Sequence, residues 1–109
     1  MGQLDNKIAI VTGAGGGIGG AIAVRLAREG AKIAVADIDG ETAKSRAAEI
    51  TRQGGQSFSI VADVTRKISV EQMVQAALDR WGRIDILVNV AGGAQVKPVI
   101  EVSETEWDH

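Results

Sequence analysis

Two periodicities alternate along this chain. Short, mostly apolar runs occupy residues 8–11, 33–36, 57–61 and 84–89. Runs of this length, rich in β-branched residues, predict strands buried on both faces of a parallel sheet. Between them, apolar residues return every three or four positions. Ile18, Ile22 and Leu26 form one such stripe, expected to pack on the sheet, and Gly30 follows as a helix stop. Asp39 is placed to cap a helix over 40–53, which Gly54 and Gly55 end. Val70, Met73, Val74, Ala77, Leu78 and Trp81 define a third helix, with Ser69 and Gln72 as its capping box and Gly82 as its stop. After the fourth run comes a loop with Gly92, Gly93 and Pro98. A further capping box, Ser103 with Glu106, predicts the first turn of another helix.

Strand and helix thus alternate β-α-β-α-β-α-β. Parallel strands joined by right-handed crossover helices are the economical solution for this pattern. The predicted fold class is α/β: a doubly wound parallel sheet, strand order 3-2-1-4, truncated after the fourth strand. Its ligand crevice lies beyond the carboxyl ends of strands 1 and 4, where the order reverses. No linker, repeat or low-complexity tract interrupts residues 1–109, which read as part of a single domain. The fourth strand is expected to be an apolar sheet edge, open to pairing with another copy.

Composition narrows the partners. The 109 residues carry 12 Lys and Arg against 14 Asp and Glu, a net charge of -2, with no basic patch. That argues against nucleic acid. The apolar fraction of 45% suffices for a core, yet no run is long enough to span a membrane and no signal segment is visible, so a cytoplasmic protein is expected. There is no cysteine and no tyrosine, and the single histidine is His109.

The candidate chemistry begins directly after the first strand. Six glycines fall within residues 13–20, where a helix is predicted to start. A helix N-terminus presents unpaired N–H groups and the positive end of a dipole, and glycine lets a phosphate approach the backbone closely. Two registers fit. The general dinucleotide fingerprint matches at Gly15, Gly17 and Gly20. The other runs Thr12, Gly13, three residues, then Gly17, Ile18 and Gly19. Asp37 ends the second strand, 18 residues beyond Gly19. A carboxylate there accepts hydrogen bonds from the adenine ribose of a dinucleotide. It also repels a 2′-phosphate, by about 4 kcal/mol per unit charge at about 4 Å and an effective dielectric near 20. No Lys or Arg at 14–16 or 38–40 offsets this, so NAD is favoured over NADP.

The second glycine register resembles the cofactor loop of the short-chain dehydrogenase/reductase family. Asp63-Val64, after the third strand, and Asn89-Val90-Ala91-Gly92, after the fourth, are similar to two further motifs of that family, in the same order. The likeness runs from about residue 7 to residue 109 and implies a Rossmann-type, NAD-binding fold. It implies cofactor contacts at Gly13, Gly15, Gly16, Gly17 and Ile18, and at Asp37 with Ile38 beside it. Asp63 would meet the adenine amino group, with Val64 against the ring face. Asn89 would tie the fourth strand to its neighbour, and Ala91 and Gly92 would pass under the nicotinamide-side ribose. Val90 stands where the family usually has asparagine. No metal ligands are implied.

The activity implied is hydride transfer between nicotinamide and a small alcohol or ketone, with general acid–base help from a tyrosine and a neighbouring lysine, a serine and an asparagine. The family places those four later than position 109. Lys97 and Ser103 stand in neither motif and read as a loop lysine and an N-cap serine. The chain is therefore expected to be the N-terminal, cofactor-binding portion of an NAD-dependent oxidoreductase, inactive by itself, from a family whose members are usually homo-oligomers. Two other readings stay open: a non-catalytic dinucleotide-binding module or truncated pseudoenzyme, and a methyltransferase-like nucleoside binder, which also joins a glycine loop to an acidic residue.

Overall fold

The computed structural model describes residues 3–90 and the backbone of residues 97–99. The elements are β1 (Ile8–Thr12), α1 (Gly17–Arg28), β2 (Lys32–Asp37), α2 (Gly40–Arg52), β3 (Ser57–Val61), α3 (Lys67–Trp81), β4 (Ile86–Asn89) and β5 (Lys97–Val99). The sheet order is β3-β2-β1-β4-β5. The first four strands are parallel, in the expected 3-2-1-4 order, with Ile10 opposite both Ala34 and Leu87. Side chains alternate between faces along a strand. From β1, Ala9 and Val11 enter a core with Ile33, Val35, Ala23, Val24, Ala43 and Ile50, on the side covered by α1 and α2. Ile10 enters the opposite core with Ala34, Ala36, Met73, Val74, Ala77 and Leu78, under α3. All five residues of β1 are buried, as a central strand covered on both faces must be.

Four local expectations are corrected. Of the stripe Ile18, Ile22 and Leu26, the last two pack against the core as expected, but Ile18 does not. The helix buries Gly19, Gly20, Ala23 and Val24, whereas Ile18 is 60% exposed. Small residues win because they let the helix sit directly on the preceding loop: a Cβ at Gly19 would lie 2.1 Å from the Gly13 carbonyl oxygen. Ser69 does not cap α3. The helix starts two residues earlier, at Lys67, and Ser69 Oγ instead accepts the Asp63 N–H at 2.9 Å. The fourth strand starts at Ile86 rather than at residue 84. The Asp85 main chain donates to the Ile8 carbonyl at 2.8 Å, and its carboxylate accepts the Ile8 N–H. Finally, β4 is not the sheet edge. Residues 97–99, read as loop around Pro98, pair antiparallel with it, Leu87 opposite Val99 and Asn89 opposite Lys97. Three residues suffice for such a strand, and proline is tolerated where a strand is outermost.

The other punctuation holds. The Asp39 carboxylate accepts the N–H groups of Glu41 and Thr42 at 3.1 and 3.3 Å, capping α2. Gly82 ends α3 in the left-handed region at φ 83°. Ala91, Gly92, Gly93, Ser103, Glu106 and His109 lie outside the described residues.

Candidate nucleotide-binding cleft

The loop between β1 and α1 is pinned to the end of β2. The Ala14 N–H donates to the Ala36 carbonyl at 3.0 Å, and the Gly15 N–H donates to Asp37 Oδ2 at 2.9 Å. The other Asp37 oxygen accepts the Asp39 N–H at 3.0 Å. The Asp37 carboxylate is thus fixed in direction, half-buried, at the carboxyl end of β2.

The glycines of the loop divide by role. Gly15 is closely packed: a Cβ there would lie 2.8 Å from both Asp37 Oδ2 and Thr42 Cβ. Gly16 and Gly17 face open space, with nothing within 4 Å of a built Cβ. Gly16 is the N-cap of α1 and, having no side chain, leaves the first-turn N–H groups without a side-chain acceptor. Gly17 holds a positive φ of 54°. A bare, uncapped N-terminus opening onto free space is the arrangement an anion such as phosphate requires.

Beside this loop lies a cleft of about 330 Å³ lined by Gly13, Asp37, Ile38, Ala62, Asp63, Val64 and Thr65. Two carboxylates and no basic side chain line it, so it suits groups that donate hydrogen bonds and carry no negative charge. Asp63 Oδ1 accepts the Thr65 hydroxyl at 2.6 Å and the Thr65 N–H at 3.0 Å. The Thr65 hydroxyl, then the Thr65 N–H, with a smaller contribution from the charge of Arg66, hold the Asp63 carboxyl below its ordinary value. Ile38 projects from the end of β2 and is 67% exposed.

The site of the fourth-strand motif is built around Thr12. Its hydroxyl donates to Asn89 Oδ1 at 2.8 Å and accepts the Val90 N–H at 3.2 Å. Asn89 therefore does tie β4 to β1. Val90 contributes its backbone to that tie, and its side chain packs against the core on the α1 side. Sequence reasoning missed Thr65 and the roles of Thr12 and Ser69. An aspartate followed two residues later by threonine is a local signal for a side-chain turn and could have marked Thr65; Thr12 acts across the fold on Asn89 and Val90, and Ser69, expected as a cap, reaches back six residues to Asp63.

Comparison with known proteins decides the family. A family model described as short chain dehydrogenase matches residues 7–109. The chain belongs to the short-chain dehydrogenase family. Its sequence is 44% identical over 106 residues to a sorbitol dehydrogenase of Cereibacter sphaeroides, covering 97% of this chain and 40% of that protein. It is 43% identical over 96 residues to a 7alpha-hydroxysteroid dehydrogenase of Escherichia coli, covering 88% of this chain and 38% of the relative. Among solved structures, a 7 alpha-hydroxysteroid dehydrogenase complexed with NADH and 7-oxo glycochenodeoxycholic acid superposes with a TM-score of 0.78 at 42% identity. That match covers 79% of this chain and 34% of the other. This short-chain dehydrogenase sequence spans about 40% of the length of the curated relatives it matches. Among the described residues no helix is long and apolar enough to cross a membrane, and no cluster of side chains could hold a metal ion.

Proposed function

We propose that this chain is the NAD-binding portion of an oxidoreductase that moves a hydride between nicotinamide and an alcohol or ketone. The observation that carries the reading is an uncapped helix N-terminus at the end of the loop that begins at Gly13, with Gly13, Asp37 and Asp63 lining one cleft that has no basic lining residue. The residues fit the group. The N–H groups at Gly16, Gly17 and Ile18 would hold the pyrophosphate, with Gly13 and Gly15 shaping the loop. Asp37 would accept from the adenine ribose hydroxyls. Ile38 and Val64 would flank the adenine and Asp63 would accept from its amino group. Asn89 would brace the start of the segment that holds Ala91 and Gly92. Bound nicotinamide supplies the hydride. The relatives whose names specify sorbitol, D-threitol and hydroxysteroid as substrates support an alcohol or ketone as the reacting partner.

NAD rather than NADP is favoured because both Asp37 oxygens are held by backbone donors at the end of β2 and no Lys or Arg lines the cleft. The chain has no tyrosine, so the acid–base residues that the family likeness implies are assigned to parts of a longer protein, and these residues bind the dinucleotide without turning over an alcohol. Assembly as a homo-oligomer belongs to the same proposal and is read by sedimentation. Calorimetric titration with NADH and NADPH tests the cofactor assignment. NADH is expected to bind at least tenfold more tightly, and Asp37→Ala to abolish the difference. Tighter binding of NADPH, or of S-adenosylmethionine in place of either, overturns the assignment.

A further inference from the structure

We propose that Thr65 and Ser69 are positioning residues that make Asp63 a selector for a purine carrying an exocyclic amino group, an inference that rests on the dinucleotide reading of the cleft. Asp63 lies in the connection between β3 and α3, where a lone carboxylate would be free to rotate. It is held at two places. Ser69, on the first turn of α3, accepts the Asp63 N–H at 2.9 Å and anchors its backbone. Thr65 donates its hydroxyl and its N–H to Oδ1, at 2.6 and 3.0 Å, and fixes the carboxylate plane.

Both Thr65 donors converge on the same oxygen. Oδ2 receives no hydrogen bond from any described residue, although Asp63 and Thr65 both line the cleft. The anchored carboxylate therefore offers one oxygen in a set direction. Hydrogen bonding to Thr65 also favours the ionised form, and an ionised carboxylate can only accept. A 6-amino purine presents a donor to that oxygen. A 6-oxo purine presents a second acceptor, and two acceptors facing each other repel. Selectivity of this kind depends on direction. An Asp63 freed to rotate can turn away from the oxo group, so loosening the anchor lowers discrimination more than it lowers binding.

The test uses the chain with two ligands, NADH and reduced nicotinamide hypoxanthine dinucleotide, the 6-oxo analogue, each titrated by nicotinamide fluorescence. The unaltered chain should prefer NADH by about tenfold, the scale of one hydrogen bond to a charged group. Thr65→Val, which keeps the shape and removes the hydroxyl, should cut the preference to about threefold or less. Thr65→Ser, which keeps the hydroxyl, should restore it. Ser69→Ala should lower the preference in the same direction by a smaller factor and gives a second reading if Thr65→Val does not fold. Retention of the tenfold preference in Thr65→Val or in Ser69→Ala overturns the role of the residue replaced. Equal binding of both ligands by the unaltered chain overturns selection by Asp63. Failure of the unaltered chain to bind NADH at all overturns the dinucleotide reading beneath it.

Discussion

The two ends of the parallel sheet are built on opposite terms. At the end where the strands begin, polar groups are answered by the protein itself. Asp85 Oδ2 accepts the Ile8 N–H at 2.8 Å and Arg83 Nε at 3.0 Å, and the same guanidinium donates to the Asn6 carbonyl at 3.0 Å. The Leu4 N–H bonds to the Glu29 carbonyl at 2.7 Å. Even the depression of about 230 Å³ beside the start of β3 has its hydroxyls engaged, Ser57 donating to the Ala47 carbonyl and Thr51 lying 3.2 Å from Ser57. Arg80 there stacks over the Phe58 ring, 4.8 Å from its centroid.

At the end where the strands finish, Asp37 and Asp39 are answered by backbone N–H groups, but other polar groups are left open. The α1 N-terminus has no side-chain cap and Asp63 keeps one oxygen without a described donor. The exposed large apolar side chains among the described residues, Ile18, Ile38, Val61 and Ile68, all gather at this end, each more than half exposed. Apolar surface and unanswered polar groups side by side cost stability and suit a ligand that is partly aromatic and partly charged. One end is closed by its own hydrogen bonds and the other leaves groups open, as the proposed binding role needs.

The sharpest way to break that division is Gly19→Val. Its Cβ would meet the Gly13 carbonyl oxygen at 2.1 Å, so helix and loop must separate. A loss of about 3 kcal/mol in urea unfolding is expected, together with loss of NADH binding. Gly16→Ala is the matched control, since nothing lies within 4 Å of its Cβ and its φ of -146° suits alanine. Stability should stay within about 0.5 kcal/mol while NADH affinity falls about tenfold. If Gly16→Ala binds as tightly as the unaltered chain, the open space before α1 is not a phosphate site.

Next in size is Asp85→Ala at the opposite end. It leaves the buried Ile8 N–H and the Arg83 guanidinium without their acceptor, at a cost of about 2 kcal/mol. NADH affinity measured under folding conditions should not change. A parallel drop in affinity would show that the two ends are coupled.

The smallest effect concerns acid. Hydrogen bonds, first from the Thr42 side chain and then from its N–H, hold the Asp39 carboxyl below its ordinary value. A carboxyl lowered in the folded chain contributes stability above the unfolded value, and that contribution disappears as pH falls through the folded value. Asp39→Asn keeps an N-cap acceptor without a titrating group. Its urea midpoint should match the unaltered chain near neutral pH and decline less steeply below the ordinary carboxylate range. An identical acid limb in both would remove the cap from the account of acid sensitivity.

Much of this was legible in the chain. Apolar runs separated by helical spacing predict the parallel sheet, because strands buried on both faces need helices on each side, and the glycine loop after the first strand points to the 3-2-1-4 order of dinucleotide-binding sheets. The glycine cluster, Asp37, Asp63 and Asn89 are legible as candidates because each falls at or just beyond the carboxyl end of a strand. Tertiary structure alone decided the rest. It turned α1 onto Gly19, Gly20 and Ala23 instead of the larger Ile18, because close approach of backbones outweighs side-chain size there. It drew Ser69 from capping to anchoring Asp63, and laid residues 97–99 along β4. It also paired Asp85 with Ile8, residues 77 positions apart. Local pattern records which face of an element is apolar. Which partner answers a given polar group depends on distances across the fold, and these exist only once the sheet has formed.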